Sequence, residues 1–274
     1  MSLVSDTHGG FNTIARVSDI VRNNPELKPE ELGVIILGDC GLNFYLNNTD
    51  QKYKKILANY GVRIYCVRGN HEARPESLNY EIIYDSDVEG EVYLDPINSH
   101  IRYFKDGGIY NINGFSILTI GGAYSVDKWY RLARAGLTEE TNNPKKSGWF
   151  ADECLTKNEM ENIAKNVTCK SFDFVFTHTC PISWEPRDLF LNFIDQNSVD
   201  KSMENWLEDT IKANIHWDIW CFGHYHADRI ERPYVEQFYY HWDSLENIWE
   251  RWHGENSASY NNGHFNSTSP FYHS

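Results

Sequence analysis

Five short motifs along this chain carry side chains of the types that hold metal ions. They are Asp6-Thr7-His8, Gly38-Asp39-Cys40-Gly41, Gly69-Asn70-His71-Glu72, Thr177-His178 and Gly223-His224-Tyr225-His226. Oxygen and nitrogen donors of this kind, with no thiolate required, suit two adjacent hard or borderline divalent cations. The chemistry such a pair performs is metal-assisted hydrolysis.

Spacing adds detail. Asp6 and His8 are two residues apart, as are His224 and His226. If a strand runs through either pair, both side chains point to one face and can grip one ion together. Asp39 is the natural bridge, because a carboxylate offers an oxygen to each of two neighbouring cations. Asn70 and His178 then complete the shell of the second ion.

The elements that must position these motifs follow from the hydrophobic pattern. Residues 11–23 place Phe11, Ile14, Val17, Ile20 and Val21 at helical spacing, with Pro25 as the stop. Gly33 to Leu37 and Val62 to Val67 are apolar runs, the mark of buried parallel strands, and a helix over 50–60 with Gly61 beyond it separates them. Phe172 to Thr177 and Trp217 to Phe222 are two more such strands, with a helix around 200–213 between them. Asp6, Asp39 and Asn70 recur at the interval of a βαβ unit, so they lie along one edge of a sheet, where open α/β sheets bind ligands.

The pattern also marks a hairpin turning at Asn113-Gly114 and a capping box, Thr156-Lys157-Asn158-Glu159, that opens a helix reaching about 166. Residues 72–107 show no sustained period and are expected to be loop with short strands. Residues 121–155 are expected to be a long functional loop or lid. One catalytic domain over 1–240 is expected, followed by an aromatic and polar extension over 241–274 that packs on it or trails from it.

The chain has 25 basic and 39 acidic side chains, a formal charge of −14, which disfavours extended nucleic-acid binding. Phosphate chemistry survives, because two divalent cations would add about +4 where a phosphate docks. No apolar run approaches the ~20 residues that span a bilayer, and no charged-then-apolar leader is present, so a cytoplasmic protein without a membrane partner is expected. Six cysteines lack a CxxC pair or a disulfide-framework spacing, so reduced thiols are expected, with Cys66 and Cys221 buried in strands.

The ordered set D-x-H, G-D, G-N-H-[DE], H and G-H-x-H, spread over residues 6–226, resembles that of the calcineurin-like metallophosphoesterases. The resemblance implies a four-layer α/β/β/α sandwich with a dinuclear metal site at the strand carboxyl ends. It also implies that Asp6, His8 and His226 bind the first metal, that Asn70, His178 and His224 bind the second, and that Asp39 bridges both. His71 then corresponds to the general acid that protonates the leaving oxygen, beside a water activated by two metals, with Mn, Fe or Zn as the suitable ions. The protein Ser/Thr phosphatase branch has G-D-x-x-D-R-G at the second motif, whereas here Leu42 and Asn43 stand where that branch has Asp and a phosphate-holding Arg.

The expected activity is hydrolysis of a phosphomonoester of a small molecule or phosphoprotein. A phosphodiesterase or nucleotide pyrophosphohydrolase is the alternative enzyme, and a catalytically silent binding module the alternative class. Three features stay open at this level. Arg68 can contact phosphate or pair with a carboxylate, and Glu72 can orient a histidine or be a solvated acid. Tyr124, Lys128, Tyr130, Arg131 and Arg134 can be substrate contacts or the face of a surface helix. The C-terminal histidines 241, 253, 264 and 273 lack ligand spacing and are expected to be surface or packing residues.

Overall fold

The structure is a computed structural model that describes residues 1–24, 26, 32–192 and 194–254. It starts with two βα units, formed by β1 (Ser2–Val4), α1 (Asn12–Asn23), β2 (Gly33–Leu37) and α2 (Asn48–Ala58), and continues into β3 (Arg63–Val67). Then come β4 (Glu81–Asp85), β5 (Gly90–Leu94), β6 (Ile101–Phe104), β7 (Gly108–Ile112) and β8 (Phe115–Ile120). Two short helices follow, α3 (Lys128–Ala135) and α4 (Pro144–Ser147), before α5 (Lys157–Val167) and β9 (Ser171–Thr177). Next is α6 (Ser202–Trp206), which runs on as a π-helical turn over Leu207–Lys212 into β10 (His216–Phe222). The last elements are β11 (Arg229–Arg232), β12 (Val235–Gln237), β13 (Asp243–Ser244) and α7 (Leu245–His253).

Two sheets result, in the orders β13-β1-β2-β3-β6-β5-β4 and β11-β12-β10-β9-β8-β7. In the first, β1, β2, β3 and β6 run parallel; in the second, β8, β9, β10 and β12 do. Strand alternation sorts the apolar side chains into layers. Ile35, Leu37, Tyr65 and Val67 of the first sheet meet Ile117, Phe174, Phe176 and Ile219 of the second in one core between the sheets. Val34, Ile36, Ile64 and Cys66 face outward onto Ile14 and Val17 of α1 and Leu57 of α2. On the far side, Leu118, Val175 and Trp220 meet Ile163 of α5 and Met203, Leu207 and Ile211 of the α6 segment. Helix, sheet, sheet and helix stack in that order, the expected α/β/β/α sandwich.

Local chemistry accounts for several boundaries. Thr156 Oγ1 accepts from the Glu159 amide while the Glu159 carboxylate accepts from the Thr156 amide, so α5 opens on a complete capping box. Asn113 and Gly114 have φ of +55° and +85°, the left-handed pair of a type I′ turn that joins β7 to β8.

Residues 72–107, expected to be loop with short strands, hold three short strands that complete the first sheet. All four residues of β6 are buried, so it leaves no clean period. Residues 121–155 are partly helical rather than one loop. Beyond residue 240, β13 pairs with β1, and α7 buries Leu245, Ile248 and Trp252 in the core between the sheets. Each such apolar side chain contributes about 1.5–3 kcal/mol. Residues 255–274, with His264 and His273, lie outside the described residues, as does Pro25. All six cysteines are free, and Cys66 and Cys221 are buried. Among the described residues no helix is long and apolar enough to cross a membrane.

Candidate metal centre

β1, β2 and β3 of one sheet and β9 and β10 of the other end at Val4, Leu37, Val67, Thr177 and Phe222. Each motif begins within three residues of such an end, so the seven predicted ligands gather where the carboxyl edges of the two sheets meet. Backbone contacts tie the loops together: the Asp6 amide donates to Gly38 O, the His8 amide to Asp39 O, and the Gly223 amide to His178 O.

The pairs Asp6/His8 and His224/His226 converge by a different route from the one their spacing suggests. The strands stop short of them, and all four residues, with Asp39, have φ between +44° and +68°. Left-handed conformations at non-glycine residues cost on the order of 1–3 kcal/mol each and cluster at functional sites. Close approach also fixes two glycines. A Cβ on Gly38 would stand 2.0 Å from His178 Nδ1, and one on Gly69 would stand 2.0 Å from Asp39 Oδ1.

The ligand atoms form two overlapping sets. One atom from each of Asp6, His8 and His226 lies within 4.8 Å of the others, and the same holds for Asp6, Asp39 and His178. Asp39 turns one oxygen to each side: Oδ2 is 3.8 Å from His8 Nε2, and Oδ1 is 3.7 Å from His178 Nε2. The ring of His224 lies 5.0 Å from that of His178. Asp39, Asn70 and His178 are buried as a floor, whereas His8 and His226 are exposed at the rim.

Whether these residues suit cations can be judged from their hydrogen bonds. His178 Nδ1 lies 2.8 Å from Leu37 O, an acceptor, so a neutral imidazole must donate there and present the bare lone pair of Nε2. Ser125 Oγ donates to Glu153 Oε2 at 2.5 Å and accepts from Asn70 Nδ2 at 2.8 Å, which leaves Asn70 Oδ1 facing His178 Nε2 at 2.8 Å. With His178 as the neutral imidazole, two acceptors point at each other with no hydrogen between them.

On the other side, Asp6 Oδ2 accepts from Ser5 Oγ and the His224 amide, but buried Oδ1 takes no hydrogen bond among the described residues and lies 3.4 Å from His226 Nε2. His8 Nε2 and His226 Nε2 are 3.1 Å apart. Converging lone pairs of this kind fit divalent cations.

Charge in the site is set by these neighbours. Burial opposes ionisation of Asp39, but His178, His71 and His8 and the His71 amide hold its carboxyl well below the usual carboxylate range. Burial, then the neighbouring His178, pushes His224 well down and keeps it a neutral imidazole. The Asp6 carboxylate raises His226. Burial and the Arg131 guanidinium lower His71, against the pull of Asp39.

The features left open resolve as follows. Arg68 pairs with Asp106 and donates to the Glu153 carbonyl beneath the site. Buried Glu72 accepts from the Gly69 amide and from Cys40 Sγ, so it braces the third motif against the second. Arg131 lies on α3 with Nη2 3.4 Å from His71 Nε2. His241 lies 3.9 Å from Asp243, and His253 stacks on Trp249, both away from the centre.

Sequence reasoning missed Ser125 and Glu153, which orient Asn70 from the segment taken as a lid. It also missed Tyr239, whose ring stacks on His226 at 4.9 Å and 11°. Tyr239 lies just ahead of the aromatic extension expected over 241–274, and isolated polar residues such as Ser125 and Glu153 leave no pattern to find.

Among known families, the one described as calcineurin-like phosphoesterase matches residues 3–228. No curated protein matches the chain at a significant level.

Proposed function

The chain belongs to the calcineurin-like phosphoesterase family, and from that premise we propose that it hydrolyses phosphomonoesters, of a small molecule or a phosphoprotein, at a two-metal centre. Asp6, His8 and His226 would hold one ion and Asn70, His178 and His224 the other, with Asp39 between them. When bound, two divalent cations supply Lewis acidity toward the phosphoryl oxygens and acidify water.

The residues divide the remaining work. Asp39 offers one oxygen to each set of ligands, and its low proton affinity keeps it anionic. The Leu37 carbonyl fixes the His178 tautomer, while Glu153 and Ser125 fix the Asn70 amide, so both ligands arrive oriented rather than paying for it on binding. His71 is tethered by its amide to Asp39 Oδ1 at 2.8 Å, and its ring centroid lies 6.0 Å from that of His8. There His71 acts as the acid in its protonated form: it gives the Nε2 proton to the departing oxygen and regains one from solvent after the product leaves.

The observation that supports this reading best is the pair of opposed acceptors, Asn70 Oδ1 and His178 Nε2. Hydrolysis of p-nitrophenyl phosphate with added Mn²⁺, compared with its bis-ester, tests it. Release of nitrophenol from the monoester is expected, and activity confined to the bis-ester would overturn the monoesterase assignment.

A further inference from the structure

We propose that Arg131 binds the substrate's phosphoryl group and gives the site its preference for a dianionic monoester. The inference rests on the phosphoester-hydrolase reading above and adds a residue that none of the five motifs contains.

The second motif is committed elsewhere in this chain. Asn43 is buried, with Oδ1 accepting from Lys54 Nζ at 2.7 Å and Tyr80 OH at 2.9 Å, so it is part of the scaffold. Phe44 presents its ring edge-on to His71 at 6.5 Å. The second motif thus places no cation beside His71. Three nearby cations are engaged. Arg68 holds Asp106 and the Glu153 carbonyl, Arg74 holds Glu159 and the Asp152 and Cys154 carbonyls, and Lys128 pairs with Glu139 against Trp149.

Arg131 is built differently. Nε donates to Asp127 Oδ2 at 2.7 Å and Nη1 to the Gly148 carbonyl at 3.1 Å, so the guanidinium is clamped from two sides. Nη2 is left facing His71 Nε2 at 3.4 Å, and the guanidinium lies 6.0 Å from the Phe44 ring. The side chain keeps 22% of its surface exposed. A guanidinium only donates, and two of its five N–H groups remain after the two clamps and the contact with His71. A phosphoryl oxygen placed for proton transfer from His71 would lie beside Nη2. Because the clamps already fix the rotamer, little entropy is lost when the oxygen arrives. A fixed cation at this point attracts two negative charges more than one, which favours a monoester over a diester.

Calorimetric titration of inorganic phosphate into the metal-loaded protein tests the proposal. Arg131→Ala is expected to weaken phosphate binding about ten- to a hundredfold, with metal content unchanged. Arg131→Lys, which keeps the charge but cannot span both clamps, is expected to fall between the two. Equal phosphate affinity in the wild type and Arg131→Ala would overturn the assignment, as would a wild type that binds no phosphate. A wild type that binds phosphate through Arg131 yet cleaves neither nitrophenyl ester contradicts the hydrolase reading and supports the Arg131 assignment.

Discussion

Asn70 Oδ1 and His178 Nε2 face each other at 2.8 Å, both acceptors when His178 is the neutral imidazole, each fixed in that orientation by a partner on its other side. Leu37 O holds the far nitrogen of the histidine, and Ser125 Oγ holds the amide of the asparagine. An arrangement that would be repulsive between neutral groups is stable around a cation, and its supports lie outside the five motifs.

Removing the support of Asn70 is therefore expected to weaken metal binding without touching a ligand. Ser125→Ala leaves the Asn70 amide free to rotate, and Glu153→Gln replaces the carboxylate that orients Ser125. Each change is expected to lower metal affinity about 10- to 100-fold, read by competition with a chromogenic chelator. Unchanged affinity in both variants would show that Asn70 does not need this support.

His71→Ala separates the acid from the metals. Turnover of p-nitrophenyl phosphate is expected to fall about 10²- to 10⁴-fold, while elemental analysis finds the same metal content as in the wild type. Loss of metal in this variant would place His71 among the ligands instead.

Glu204 gives a prediction about stability. It is buried, accepts from Thr179 Oγ1 through Oε1, and has no partner for Oε2 among the described residues. Burial is the largest cause that raises its pKa from 4.5 to about 7. Between those values the unfolded chain has released a proton that the folded chain retains, so stability falls as pH rises from about 4.5 to about 7 and then levels off. Glu204→Gln removes this dependence. At pH 8 the variant is expected to be more stable than the wild type by roughly 2–3 kcal/mol, with a smaller gain at pH 5. Parallel urea unfolding curves for the two proteins across that range would refute the assignment.

The sequence made the ligands legible because each follows an apolar strand, and buried parallel strands announce themselves as continuous runs such as Gly33 to Leu37. Much of what shapes the site has no such signature. The left-handed backbone at Asp6, His8, Asp39, His224 and His226 is imposed by tertiary contact, so strand spacing placed these side chains together for the wrong reason. Ser125 and Glu153 act as single residues brought together by a fold in the chain. Arg131 was visible as one of five basic and aromatic residues, but its contact with His71 depends on clamps at Asp127 and Gly148. The outer strands β4 and β5 and the neighbouring β6 lacked a readable period, and in β6 the reason is that all four residues are buried.

The most direct test of the whole account is the metal stoichiometry of the wild-type chain, measured by elemental analysis after purification without chelators and reconstitution with Mn²⁺. About two ions per chain are expected from the two overlapping ligand sets. A chain that binds no divalent metal under these conditions, or with Zn²⁺ or Fe²⁺ in place of Mn²⁺, would contradict it.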